Sequence, residues 1–340
     1  MRRTLVIAPN WLGDCLMAQP LLTRLKSRQA GIPIDVLAVP AVAPVFLRMP
    51  EVSEVIEEDF RHGRLGLRQR WRLGRSLKGR YAQSFVLPNS WKSALVPFFA
   101  DIELRVGRVG ESRFGLLNIA HPNPKPTDIR APMARFYAQL AESPGKVLAG
   151  ELPAPLLRID PITVIATKVA LGLKPAETIV ALCPGAEYGS AKRWPMEKFA
   201  EAAARLRALG LTPIVLGSQK DVPTGLSIEQ LSHGAALNLA GRTTLDDAIN
   251  IIAGSAAVIT NDSGLMHVAA ALDRPQVALF GSSSPDHTPP LSDAAVVIYK
   301  RLDCSPCYAR QCPLGHLRCL RDISVAEVVA EVAAAIGTTA

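Results

Sequence analysis

The sequence has few aromatic residues and no long hydrophobic run. Only 5% of its 340 residues are aromatic although 49% are hydrophobic, and alanine, leucine and valine dominate. Because no 18 consecutive residues are apolar, no segment is predicted to span a bilayer. A composition rich in small and branched apolar residues is typical of parallel β-sheets covered by helices, and the length suggests two domains.

A secretion signal and a disulfide framework are also missing. The start, Met1-Arg-Arg-Thr-Leu-Val-Ile-Ala8, resembles a signal peptide, but Pro9 and Asp14 interrupt it before its apolar region is long enough. Six cysteines in a chain of this length do not make a disulfide scaffold. We therefore expect a cytoplasmic protein whose first residues form a β-strand.

Acidic residues are outnumbered, with 30 Asp and Glu against 38 Lys and Arg, which gives a net charge of +8. This excess indicates an anionic partner: nucleic acid, an acidic membrane face or a phosphorylated substrate. The basic residues are scattered and form neither an aromatic-interleaved groove nor a helix-turn-helix pattern, so no nucleic-acid partner is expected. A generally basic surface without a single target is the alternative.

Strand-like and helix-like segments alternate in two series, which predicts two doubly wound α/β domains. Strands are predicted at residues 4–8, 34–39, 51–56, 84–87, 104–106, 179–183, 212–216, 237–239, 257–260 and 276–280. Helices are predicted at 20–28, 91–100, 131–142, 196–209, 222–231, 245–253, 264–272 and 325–336. A segment rich in proline and glycine predicts domains at 1–145 and 163–322 with a linker at 146–162, and a helix in 323–340 that packs back on the first domain.

The loop after the strand at 257–260 is the most informative stretch. Asn261-Asp-Ser-Gly264 leads from a buried strand directly into an apolar helix. The Ser263 hydroxyl, the flexible Gly264 and the unpaired N–H groups of the first helical turn predict a phosphate or diphosphate site. An ordinary capped strand–helix turn is the alternative.

Other loops that follow strands carry compatible chemistry. In residues 183–195, Gly185 and Gly189 leave room for a ligand, and Lys192 and Arg193 supply two cations, which favours phosphate contact over a solvated basic loop. The carboxylate of Asp221 is suited to accept hydrogen bonds from ribose hydroxyls. Residues 239–245 have little side-chain bulk, so their backbone is able to pair with the edge of a nucleotide base. The Gly/Ser turn at 281–288 supplies hydroxyls to the same pocket.

Asp14 follows the first strand at the start of a predicted helix. It is either an N-cap or a carboxylate that accepts a proton from a substrate hydroxyl. A free aspartate is a weak base, so the second role needs burial or close placement against the reacting oxygen. No G-x-G-x-x-G follows this strand, which argues against a nicotinamide or flavin dehydrogenase.

Together these motifs make the sequence similar to glycosyltransferase family 9, the ADP-heptose:lipopolysaccharide heptosyltransferases. The resemblance rests on Asn10-Trp-Leu-Gly-Asp14, Leu87-Pro-Asn-Ser-Trp-Lys-Ser-Ala-Leu-Val-Pro-Phe-Phe99, Cys183-Pro-Gly-Ala-Glu-Tyr-Gly189, Ala191-Lys-Arg-Trp-Pro195, Asn261-Asp-Ser-Gly-Leu-Met-His-Val-Ala-Ala-Ala271 and Ser284-Pro-Asp-His-Thr-Pro-Pro290. The second and third of these most resemble the heptosyltransferase II subgroup, which adds the second inner-core heptose.

The resemblance implies two Rossmann-like domains that face each other across a cleft, the GT-B arrangement. It also implies an inverting, metal-independent transfer of L-glycero-D-manno-heptose from ADP-heptose to the first heptose of heptosyl-Kdo2-lipid A. No cofactor is implied, and the enzyme would contact the cytoplasmic face of the inner membrane peripherally. The alternatives are heptosyltransferase I or another family 9 transferase with the same donor and, less favoured, a nucleotide-sugar epimerase with two Rossmann-like domains.

The resemblance also implies roles for individual residues. Asp14 is the general base, and Lys192 acts with Arg193 on the departing diphosphate. The donor-binding set is Gly185, Lys192, Arg193, Gly217, Asp221, Gly241, Thr243, Thr244, Asp262, Ser263, Gly264, Leu265 and His267, although the place of His267 on an apolar helix is also typical of a core residue. The acceptor-binding set is Gly13, Asn89, Ser90, Lys92, Arg105 and Arg113, with Arg108 nearby. Arg68, Arg70 and Arg72 are expected to contact the acidic leaflet.

Four cysteines, Cys304, Cys307, Cys312 and Cys319, form a tight group with His316 beside it. A zinc or iron–sulfur site is one interpretation, but the spacing fits neither a paired zinc ribbon nor a ferredoxin run. We favour reduced thiols in a compact loop and expect no metal. The loop would lie near the carboxyl edge of the second sheet, where it would shape the rim of the donor pocket.

Overall fold

The first domain contains a six-stranded sheet in which every pair of neighbouring strands is parallel. Its strands are β1 (Arg3–Ile7), β2 (Ile34–Ala38), β3 (Val52–Glu57), β4 (Tyr81–Val86), β5 (Leu104–Arg108) and β6 (Ile119–His121), in the order β3-β2-β1-β4-β5-β6. β2 is buried along its whole length, as the continuous apolar character of a covered parallel strand predicts. The computed structural model describes residues 3–60, 63–123 and 131–337.

The second domain repeats this topology. Its strands are β7 (Ile179–Cys183), β8 (Thr212–Val215), β9 (Leu237–Asn238), β10 (Ser255–Asn261), β11 (Gln276–Phe280) and β12 (Ala295–Tyr299), in the order β12-β11-β10-β7-β8-β9. In both domains the second and third strands extend to one side of the first strand, and the chain then crosses to the other side, where it adds three more strands. The predicted pair of doubly wound, Rossmann-like domains is therefore confirmed.

Helices cover both sheets. Those of the first domain are α1 (Leu12–Met17), α2 (Gln19–Arg28), α3 (Ala43–Leu47), α4 (Leu67–Ser76), α5 (Leu95–Phe99) and α6 (Met133–Ala138). Those of the second are α7 (Pro161–Ala170), α8 (Met196–Ala208), α9 (Val222–Leu231), α10 (Leu245–Ala253), α11 (Gly264–Ala271), α12 (Arg318–Arg321) and α13 (Val325–Ala335). Within the described ranges, none of them combines the length and hydrophobicity that crossing a membrane requires.

The chain divides into Met1–Leu157 and Arg158–Ala340, at a point inside the predicted linker. α7 begins before that linker was expected to end, because Pro161 occupies the first turn and the Asp160 side chain accepts a hydrogen bond from the N–H of Ile162 at 3.0 Å.

The C-terminal helix requires a correction. α13 was expected to pack on the first domain, but it packs on α8, β10 and β11 of the second. A capping box between Ser324 and Glu327 starts the helix, and its buried valines join the apolar core of the second sheet. Residues 338–340 of the predicted C-terminal segment lie outside the described residues.

Candidate active site

Each sheet places a group of predicted site residues beyond the carboxyl ends of the two strands that flank its crossover. Residues 9–14 follow β1 and residues 87–90 follow β4, and these strands are paired through Ile7 and Val86. Residues 184–193 follow β7 and residues 262–264 follow β10, which are paired through Cys183 and Thr260. Open parallel sheets bind ligands at this position. We call these two groups of loops the first-domain edge and the second-domain edge.

At the first-domain edge, Asp14 lies in the first turn of α1, directly after Gly13. Trp11 occupies the N-cap position, so Asp14 is not the N-cap that the sequence left open as an alternative. The hydroxyl of Tyr137, on α6, donates a hydrogen bond to Asp14 Oδ1 at 2.8 Å. Burial, followed by the charge of Asp14, raises the pKa of Tyr137 far above its usual value, so this phenol remains a donor.

Beside the same edge is a cavity of about 70 Å³ whose lining includes Asn10, Ser90, Lys92 and Arg70. No acidic side chain lines it within the described parts of the chain. Arg70 was expected at a membrane surface, but it is buried, with its guanidinium 3.9 Å from the ring centroid of Phe60. That expectation is corrected for Arg70, while Arg68 and Arg72 are exposed.

The arginines that were predicted to contact the acceptor make hydrogen bonds within the protein. Arg113 is 3% exposed and donates to Pro88 O at 2.7 Å and to the side chain of Asn89 at 3.4 Å. Arg105 donates to Leu116 O at 2.7 Å and to Ile102 O. Arg108 is buried and donates to the backbone carbonyls of Pro122 and Phe136. All three arginines support loops, and direct contact between them and an acceptor remains only a prediction.

At the second-domain edge, Asp262 gathers three donors. Lys192 Nζ lies 2.5 Å from Asp262 Oδ2, and Ser283 Oγ donates to the same oxygen at 2.5 Å. Thr288 Oγ1 donates to Oδ1 at 3.3 Å. The carboxylate is almost completely buried, so the ion pair and both hydroxyls compensate for its loss of water and hold the ammonium group in place.

Asn261 ties the basic loop to the start of α11. Its side chain accepts from Trp194 N at 3.0 Å and donates to Pro184 O at 2.7 Å, so both ends of the loop are fixed to β10. Ser263 is the N-cap of α11, but its side chain makes no capping hydrogen bond. The N–H groups of Gly264 and Leu265 therefore lie at an uncapped helix start beside Lys192, which suits an anionic ligand.

The predicted ribose residue, Asp221, occupies the space left by two glycines. It accepts hydrogen bonds from Ser218 N at 2.9 Å and from Ser218 Oγ at 2.8 Å. A Cβ atom at Gly185 would lie 2.8 Å from the Asp221 carboxylate, and one at Gly217 would lie 2.7 Å from its Cβ. Both positions therefore require glycine because Asp221 packs there, whereas the sequence suggested room for a ligand.

The loop of residues 239–245, which was predicted to bind the nucleotide base, is hydrogen-bonded to the turn that precedes Asp221. Gly241 N donates to Gly217 O at 3.0 Å, which connects the turn after β9 with the turn after β8. Thr243 follows in this turn, and Thr244 caps α10 by accepting from Asp247 N at 3.1 Å. The loops assigned to ribose and to base are therefore neighbours.

His267 lies on the buried face of α11 and is 4% exposed. Burial is the largest influence and lowers the pKa of His267 to about 4, and Lys192 lowers it further while Asp262 opposes the change. The imidazole is therefore neutral at neutral pH and lies close to the Lys192–Asp262 pair. This is the core position that the sequence offered as an alternative to a ligand contact.

Two residues near Lys192 were not predicted. The ring centroid of Tyr188 is 5.1 Å from Lys192 Nζ and 5.3 Å from the guanidinium carbon of Arg310. Ala191 N donates to Arg310 O at 3.1 Å, which attaches the cysteine loop to the basic loop. The sequence placed the cysteine loop near this edge but gave no signal for Arg310.

The four cysteines and His316 contribute to the lining of a cavity of about 20 Å³. Burial, and then the neighbouring thiols, raise the pKa of Cys319 to about 11, whereas N–H groups, that of Leu317 first, lower the pKa of Cys312. Among the residues that the structure describes, no group of three or more His, Cys, Asp or Glu side chains is arranged to hold a metal ion.

Known proteins resemble the chain over most of its length. The family model for glycosyltransferase family 9 (heptosyltransferase) matches residues 70–318. Lipopolysaccharide heptosyltransferase 2 of Salmonella typhimurium is 45% identical over 306 residues, 87% of each chain. Lipooligosaccharide heptosyltransferase 2 of Haemophilus influenzae is 42% identical over 307 residues, 86% of this chain and 87% of the other. The solved structure of E. coli ADP-heptose lps heptosyltransferase II matches with a TM-score of 0.87 and 40% identity over 98% of each chain. The chain therefore belongs to glycosyltransferase family 9 and is a glycosyltransferase.

Proposed function

We propose that the protein transfers L-glycero-D-manno-heptose from ADP-heptose to the first heptose of heptosyl-Kdo2-lipid A. The observation that carries this proposal is the similarity, over nearly nine tenths of the chain, to enzymes named heptosyltransferase 2. The chemistry of the two edges supports it: one presents a carboxylate, and the other presents cations beside a helix start.

The second-domain edge suits the leaving group. In an inverting transfer, the acceptor oxygen bonds to the anomeric carbon while the bond to the diphosphate breaks, so negative charge collects on ADP. Lys192, Arg193 and the N–H groups at the start of α11 are the groups that stabilise such charge. Asp262 holds Lys192 and is itself held by the hydroxyls of Ser283 and Thr288, so the ammonium needs little rearrangement when the charge develops.

Asp14 suits the role of general base. It receives the proton of the attacking hydroxyl as the new glycosidic bond forms. In this proposal Asp221 binds the ribose of the donor, and the loop of residues 241–244 binds the adenine.

The cavity beside the first-domain edge suits the acceptor. Its lining carries the cations of Arg70 and Lys92 and, among described residues, no carboxylate, so it is electropositive. The acceptor is anionic through its Kdo carboxylates and lipid A phosphates. The exposed Arg68 and Arg72 would contact the anionic leaflet in which that acceptor is embedded.

The test is an acceptor series. Purified protein is incubated with ADP-heptose and with Kdo-lipid A acceptors that carry zero, one or two heptoses, and products are identified by mass. We expect one heptose to be added to the one-heptose acceptor. Preference for the acceptor without heptose would indicate heptosyltransferase I activity. Free sugar released without any acceptor would indicate an epimerase.

A further inference from the structure

The contact between Tyr137 and Asp14 joins groups that are 123 positions apart in the sequence. Tyr137 is 5% exposed, and its hydroxyl donates to Asp14 Oδ1 at 2.8 Å. The aromatic ring of Tyr137 is fixed in the domain interior, so its hydroxyl has little freedom. Asp14 is a half-buried side chain on the short helix α1.

Arg108 fixes the helix that carries Tyr137. From the end of β5 it donates to Pro122 O and to Phe136 O, each at 2.7 Å. Its guanidinium carbon also lies 3.7 Å from the ring centroid of Phe136. Burial lowers the pKa of Arg108 to about 10, so it stays charged at neutral pH and keeps these bonds. α6 is thereby anchored to the sheet one residue before Tyr137.

We propose that Tyr137 is a positioning residue whose hydroxyl holds the Asp14 carboxylate in the orientation that receives the acceptor proton. This inference rests on the proposed role of Asp14 as general base. During transfer the proton moves from the acceptor hydroxyl to Asp14, and Tyr137 keeps its own proton throughout. Small displacements of a catalytic group from its productive position lower the rate by large factors. A phenol that is fixed in place therefore increases the rate by keeping Asp14 in that position.

The chain contains a matched control. Tyr81, on β4, is 3% exposed, and its hydroxyl donates to Asp35 Oδ2 at 2.9 Å. Asp35 lies on β2 inside the first sheet and also binds Arg3. In both pairs a buried phenol donates to an aspartate, but Asp35 is fully buried, is paired with Arg3 and belongs to the sheet rather than to the loops at its carboxyl end.

The experiment compares Tyr137→Phe, Tyr81→Phe and Asp14→Asn with the unaltered enzyme, using ADP-heptose and the one-heptose acceptor. We expect Tyr137→Phe to lower kcat about tenfold while the KM for ADP-heptose stays within twofold. The acidic limb of its kcat profile should move to higher pH, since the carboxylate loses a donor that favours its ionised form. The described titratable groups next to the pair are Cys15 and Arg108.

Tyr81→Phe and Tyr137→Phe should lower the thermal midpoint of unfolding by similar amounts. Tyr81→Phe, however, should leave kcat and the acidic limb of the pH profile unchanged. The inference would be overturned by equal kinetic losses in both Phe variants, or by an unchanged kcat and pH profile in Tyr137→Phe. If Asp14→Asn is inactive in the same experiment, the assignment of Asp14 as general base still stands. A fully active Asp14→Asn would instead remove the base assignment, and the positioning role with it.

Discussion

The two edges share a topology but differ in the charged side chains that they hold. Each lies beyond the strands that flank the crossover in a sheet of the same strand order. At the first-domain edge, a phenol holds the carboxylate of Asp14. At the second-domain edge, the carboxylate of Asp262 pairs with the ammonium of Lys192 and accepts hydrogen bonds from the hydroxyls of Ser283 and Thr288. The fold therefore determines where a site can form, and a few side chains determine its chemistry.

Each edge also contains one aspartate, and these two aspartates have different surroundings. Asp262 is buried, and its oxygens accept from Lys192, Ser283 and Thr288. Asp14 is half-buried and follows directly from the loop at the strand end. We infer that Asp262 is a support for the cation and that Asp14 is the group that exchanges a proton.

The largest expected effect compares these two carboxylates. Asp14→Asn should lower kcat about a thousandfold and remove the acidic limb of the pH profile, while ADP-heptose binding stays within a few-fold. Asp262→Asn should lower kcat/KM roughly tenfold, mainly through the KM for the donor, because the position of Lys192 loosens. The measurements are steady-state kinetics from pH 5 to 9 and donor binding by calorimetry.

The comparison fails if Asp262→Asn loses the acidic limb while Asp14→Asn retains it. The two carboxylates would then have exchanged roles. Normal turnover by Asp14→Asn would reduce this residue to part of the first turn of α1.

A smaller effect is expected at the cation itself. Lys192→Ala should cost about 2–4 kcal/mol of transition-state stabilisation, because a fixed charge on the departing diphosphate is lost. The matched control is Lys220→Ala, which removes an exposed lysine of the same domain whose Nζ lies 2.9 Å from Glu187. Surface pairs of this kind contribute little, so the control should keep its activity. Equal kinetics for Lys192→Ala and the unaltered enzyme would exclude Lys192 from the site.

The sequence predicted most of the architecture because the central strands and long helices carry strong periodic signals. All ten predicted strands are present with ends within three residues. The edge strands β6 and β12 were not predicted: β6 has only three residues, and β12 is partly exposed. A short or half-covered strand has less apolar pattern by which it can be recognised.

The same contrast applies to the site. Gly/Ser turns and the basic loop indicated the second-domain edge, where residues close in sequence act together. Tyr137 could not be found this way, because its partner is 123 positions away and no turn or charge marks it. Arg105 and Arg113 show another limit of the sequence, since a positive charge does not show that backbone carbonyls already accept hydrogen bonds from it.

The smallest expected effect concerns stability rather than rate. Folding holds the pKa of His267 at about 4, and an unfolded histidine has a value near 6.5. As pH falls below 6.5 the unfolded chain takes up a proton that the folded chain refuses, so stability decreases and continues to decrease until about pH 4. At pH 5.5 the loss from this residue is about 1.4 kcal/mol.

His267→Gln should therefore reduce the difference in unfolding free energy between pH 7.5 and pH 5.5 by about 1 kcal/mol in urea titrations. His121→Gln is the parallel change in the first domain, where burial and then Arg108 lower the pKa of a buried histidine in the same direction. An unchanged pH dependence in His267→Gln would mean that His267 does not reduce the stability of the folded chain in acid. If the expected change appears, a fall of kcat in acid must first be corrected for unfolding before the remainder is assigned to Asp14.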